Sequence, residues 1–64
     1  MCLSSVYLTR AGGKTELLCE YVSGADLSGG RITFRDILGQ EVSVAGTLKN
    51  IDLVKNTITV EASG

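Results

Sequence analysis

Apolar and polar residues alternate with a period of two along most of this chain, and glycines interrupt the alternation at short intervals. A period of two is the repeat of a strand with one buried face, so the pattern commits the chain to β structure. In Leu3–Thr9, Ser4, Val6 and Leu8 share one face, and Leu3, Ser5, Tyr7 and Thr9 share the other. Thr15–Val22 follows, with Leu17, Cys19 and Tyr21 forming a fully apolar face that is expected to be core. Ser23-Gly24 bends the chain before Ala25–Ser28, and Gly29-Gly30 supplies a two-residue hairpin turn into Arg31–Ile37. There Ile32 and Phe34 point one way, and Arg31, Thr33 and Arg35 the other.

The remaining third repeats the theme. Ala11-Gly12-Gly13-Lys14 and Asp36-Ile37-Leu38-Gly39 read as turns, because glycine adopts positive φ without steric cost. Gln40–Ala45 should turn Val42 and Val44 inward, and Gly46 permits a bend. Leu48–Val54 and Thr57–Glu61 flank a turn at Lys55-Asn56 and offer Ile51, Leu53, Ile58 and Val60 to the core. No stretch carries a capped helical stripe. The expectation is one all-β domain over residues 1–64: a small, strongly bent sheet or SH3-like barrel of about five or six short strands.

Length sharpens that expectation. A chain of 64 residues buries only about 60% of the surface it exposes unfolded, so its core is small and a partner would help it. Two cysteines are too few for a secreted disulfide framework, and no apolar run approaches the roughly 20 residues of a membrane helix. No secretory leader is visible, so a cytoplasmic protein with reduced thiols is expected.

Charge and chemistry exclude more. The six Lys and Arg residues are scattered singly, and net charge is −1, which disfavours a nucleic-acid role. The glycine turns open no helix and match no nucleotide fingerprint. There is no histidine, and Asp36, Glu41 and Asp52 have no partner arrangement for acid–base or nucleophilic work. The chain is not expected to be an enzyme.

Cys2 is the candidate that remains. It stands directly behind Met1, so one dipeptide brings a thiolate close to the terminal amine and the Cys2 amide nitrogen. Nitrogen and sulfur donors in tetragonal or square-planar sets suit Ni(II) or Cu(II), whereas structural zinc takes four Cys or His ligands. One chain supplies half of such a site, and two copies related by a two-fold axis would supply the whole. Simple packing of a small apolar residue at a strand start is the other reading of Cys2. Cys19, between Leu17 and Tyr21, reads as core.

Three segments resemble the small CooT-type nickel-binding proteins. They are Met1-Cys2-Leu3-Ser4-Ser5-Val6-Tyr7-Leu8, Phe34-Arg35-Asp36-Ile37-Leu38-Gly39-Gln40-Glu41 and Gly46-Thr47-Leu48-Lys49-Asn50-Ile51-Asp52-Leu53. That resemblance implies a cytoplasmic homodimer of SH3-like barrels holding about one Ni(II) per dimer through the two Cys2 residues. It implies a role in nickel delivery for carbon monoxide dehydrogenase maturation or in nickel homeostasis, with a nickel enzyme or its maturation proteins as partners. Members of the family are also described as predicted RNA-binding proteins, and such a module would show Arg31, Arg35 and Lys49 together on one sheet face.

Overall fold

The computed structural model describes residues 3–63. Five strands follow one another: β1 (Ser4–Thr9), β2 (Thr15–Ser28), β3 (Arg31–Asp36), β4 (Glu41–Asp52) and β5 (Thr57–Ala62). They form a closed barrel in sequence order, with antiparallel pairing between successive strands and parallel pairing between β1 and β5. The parallel seam is a consequence of number. In an up-and-down chain, strands one and five run the same way, so closing the ring brings them together in parallel.

The all-β barrel expected from the sequence is what forms, but its strands are not uniformly short. The two stretches divided at Gly24 are one strand of 14 residues, and those divided at Gly46 are one of 12. Each long strand serves two neighbours in turn. β2 pairs with β1 up to Val22 and with β3 from Val22 onward, while β4 pairs with β3 up to Ala45 and with β5 from Gly46. Bending within a strand, not a break between strands, is how so small a sheet closes.

Gly46 marks one such bend. A Cβ there would stand 2.5 Å from the carbonyl oxygen of Glu61, so the close approach of β4 to β5 requires glycine. The expected turns are present. Gly12, Gly13, Gly29, Gly30 and Gly39 all have positive φ, as their turns demand. Asp36 Oδ1 accepts the Leu38 and Gln40 amides at 2.9 and 3.0 Å and so shapes the β3–β4 turn.

The core is Val6, Leu8, Val22, Ile32, Phe34 and Val60, with Leu18, Cys19, Val44, Leu48, Ile58 and Ala62 packed around it. β3 buries Ile32 and Phe34, which its alternation groups on one face, and of the two faces of β1 the one with Val6 and Leu8 is buried. β2 departs from its expected face. Leu17 and Tyr21, expected inside, are exposed, whereas Val22 is buried and Leu18 packs against the core. Register explains the difference. Leu17 lies opposite Tyr7 and Cys19 opposite Val6, so an extra residue between them puts Leu17 on the outer face and Cys19 on the inner one. A second shift separates Cys19 from Val22, around Tyr21 with its φ of 59°. Ile51 and Leu53 are also exposed where the sequence placed them inside. Ile51 lies opposite the core-packed Ile58 but one residue from the end of β4, at the rim of the barrel, and Leu53 falls beyond the strand in the β4–β5 turn.

Candidate metal centre

Cys2, the metal-site candidate, lies outside the described residues; what the structure defines is the end of the barrel from which it departs. Residue 2 is two positions ahead of β1, whose first residue, Ser4, pairs with Val22 of β2. On the other flank, the Ser5 amide donates to the Asn56 carbonyl at 2.9 Å, and Ser5 lies beside Thr57 of β5. The start of β1 is thus held between two strands by main-chain hydrogen bonds.

Both flanks are apolar at the surface. On the β2 side, the Tyr21 carbonyl accepts the Ile37 amide at 3.1 Å, which ties the β3–β4 turn to the bulged strand. Tyr21 is 61% exposed and Leu38, at the turn, 80% exposed. On the β5 side, Leu53 and Val54 occupy the β4–β5 turn and are also almost fully exposed. That turn is built by Asp52, whose Oδ1 accepts the Val54 and Lys55 amides at 3.0 and 2.9 Å. Single exposed leucines need no explanation; here exposed apolar residues occur in the turns on both sides of one strand start. Alternation alone reads Leu53 as core. The sign that could have found this surface is the pair of Asp-apolar-apolar segments, Asp36-Ile37-Leu38 and Asp52-Leu53-Val54, in which the aspartate caps a turn and pushes its two followers outward.

The other candidate donors are elsewhere engaged or dispersed. Among the described residues no three His, Cys, Asp or Glu side chains come together as a metal group. Asp36 and Asp52 are occupied by turn amides, and Glu41 sits at the exposed start of β4. Cys19 is half-buried opposite Val6, and burial, followed by the nearby Asp36 charge, raises its thiol pKa. A thiol held in its neutral form is a poor ligand and a poor nucleophile. Cys19 therefore belongs to the packing, as the sequence indicated, although its neighbours are not the ones expected.

The surface cations do not gather. Arg35 bonds Asp26 at 3.1 Å, Arg10 bonds Glu16 at 2.6 Å, and Lys49 stands 4.0 Å from Glu61. Arg31 and Arg35 share the outer face of β3, but Lys49 lies on the second half of β4, which pairs with β5. Such a distribution provides no continuous basic track for a phosphate backbone.

Among the described residues the fold is a closed five-stranded all-β barrel without a helix, with exposed apolar residues in the turns on both sides of the start of its first strand. The family model described as "CO dehydrogenase accessory protein CooT" matches residues 1–61, and the chain belongs to that family. Among solved structures, it is similar to a crystal structure of a protein assigned as CooT from Carboxydothermus hydrogenoformans. The two are 25% identical, with a TM-score of 0.86, over 98% of this chain and all of the other. Comparison with curated proteins finds no relative.

Proposed function

We propose that this protein binds Ni(II) through Cys2 at a homodimer interface, and that it serves nickel delivery for carbon monoxide dehydrogenase maturation or nickel homeostasis. The observation that carries this reading is the Met1-Cys2 start within a match to an accessory family of a carbon monoxide dehydrogenase. The described residues gather no metal-binding cluster of their own, and their one cysteine, Cys19, is packed with its thiol pKa raised by burial. The donors this reading uses are the thiolate of Cys2 and the nitrogens around it. Their count, half of a four-coordinate N₂S₂ set per chain, makes a second copy part of the site.

Nickel in this reading is cargo. An exchangeable site should rest on few protein ligands at an accessible position, whereas a structural site is enclosed by four. A donor dipeptide that precedes β1 in the sequence suits that requirement. In this reading, release and loading need no unfolding of the barrel. The chain would not itself catalyse a reaction, in keeping with membership of an accessory family.

The test is titration with Ni(II), following thiolate-to-metal charge-transfer absorption and intact mass. The expected result is one metal per two chains and loss of both absorption and affinity in Cys2→Ser. Full affinity and unchanged absorption in Cys2→Ser, or saturation at one metal per chain, would overturn the shared site.

A further inference from the structure

β4 pairs with β3 over residues 41–45 and with β5 from Gly46 onward, so its first half has one edge without a partner strand among the described residues. Two hydrogen bonds fix the direction of the backbone groups there. The Gly46 amide donates to the Gly30 carbonyl at 3.1 Å, and the Asp36 amide donates to the Gln40 carbonyl at 3.0 Å. Residues 40 and 46 therefore turn their groups toward the β3 side. Successive residues of an antiparallel ladder alternate between its two edges, so Val42 and Val44 also face β3, and Glu41, Ser43 and Ala45 face away. The Ala45 carbonyl bears this out by accepting the Ser63 amide at 3.1 Å. Past that rung, the amides and carbonyls of Ser43 and Glu41 have no backbone partner among the described residues.

Proteins blunt such edges with lysine, proline or a bulge. Residues 41–45 carry none of these, and they meet β3 without a register shift. The first half of β2, by contrast, is bulged against β1. The side chains define what fits the open edge. Val42 and Val44 are half-buried, and Val44 packs against the core, so a strand laid alongside must bring apolar side chains to the inner face. On the outer face, Glu41 is exposed and forms no ion pair among the described residues. Arg35, opposite it, is engaged by Asp26 at 3.1 Å.

We propose that residues 41–45 take up an extended segment of a partner protein as an added strand, antiparallel to β4, with aliphatic residues on its inward side and a lysine or arginine opposite Glu41. The Ser63–Ala45 bond is the first rung of such a ladder, since Ser63 follows β5, which already runs antiparallel to β4. In this mode of recognition main-chain bonds supply affinity, and alternate side chains supply choice. A second copy's own residues 41–45 bring no cation to the contact, so the charge favours a different chain.

The experiment is an NMR titration of the isotope-labelled chain with an acetylated octapeptide in which valine alternates with threonine and lysine, reading amide shifts and hydrogen exchange. Saturable shifts should centre on Glu41 and Ser43, with slowed exchange of those two amides. Ser43→Pro removes an outward amide, which an edge strand tolerates; it should keep its thermal melt and weaken binding by about tenfold or more. Glu41→Lys should weaken the lysine peptide by about threefold or more and favour a counterpart carrying glutamate instead. Shifts centred on another edge, or unslowed exchange at Glu41 and Ser43 with peptide in large excess, overturn the inference. So does unchanged binding in Ser43→Pro or, should that variant be unfolded, a Glu41→Lys chain that does not distinguish the two peptides. Protection of these amides that rises with protein concentration in the absence of peptide assigns the edge to a second copy and overturns the inference as well.

Discussion

β3 and β2 are neighbours in one ladder, yet they solve different problems. β3 is six residues long, is paired along both edges and meets β4 with no irregularity. β2 is more than twice as long, changes partner halfway, and takes the extra residue at every register shift against β1 and β3. The short strand is a wall of the core. The long one is the corner of the barrel, and each extra residue in it turns the strand and reverses which side chains face inward. The evenly paired strand supplies core side chains, while the strand that bends turns Leu17 and Tyr21 out to solvent.

That contrast can be broken most forcefully at Phe34. It is the largest of the fully buried side chains, 2% exposed at the centre of β3. Phe34→Ala should cost about 3–5 kcal/mol, comparable to the whole stability of a domain this small. Urea denaturation should find the variant largely unfolded in buffer; a loss under about 1 kcal/mol would show that β3 is not the wall described.

A smaller effect sharpens the account of β2. If the extra residues set its parity, neighbouring leucines should behave as opposites. Leu18→Ala should cost about 1–2 kcal/mol because it strips contacts from the core, and Leu17→Ala less than about half as much. Equal or inverted losses in the same denaturation experiment would restore the simple alternation.

The smallest effect tests Cys19, which the parity shift turns toward Val6. Burial first, and the Asp36 charge second, raise its folded pKa above the unfolded value. The unfolded chain then loses the thiol proton first as pH rises, so the contribution of Cys19 to stability is whole below about pH 8.5. It declines as pH rises above that value and through the folded pKa. The stability difference between wild type and Cys19→Ser should therefore shift against wild type between neutral and strongly alkaline pH. A difference constant with pH would mean that Cys19 is solvated like a free thiol.

What could be read in the sequence follows the same division. β3, the glycine turns and the grouping of Val6 with Leu8 on one face of β1 were legible because each depends on residues close to one another in the chain. Leu17 and Tyr21 were misread because parity beyond a bulge is set by the register of a distant partner strand, which local alternation does not contain. Ile51 was misread because it lies at the rim, one residue from the end of β4. Cys2 was singled out from the sequence as a donor beside terminal nitrogens, and it lies outside the described residues. The apolar turns were not legible, because exposed leucines and valines in turns look like core until the ladder shows where the strands end.

The parallel seam between β1 and β5 has a practical corollary. Because the two strands run together, β1 begins at one pole of the barrel and β5 ends at the other, with Ser5 beside Thr57 and Thr9 beside Glu61. A strand of six residues spans roughly 20 Å, so an affinity handle attached beyond Ser63 hangs from the pole opposite the start of β1. It leaves the apolar turns around that start uncovered, which makes it the placement with which to test the proposed nickel site.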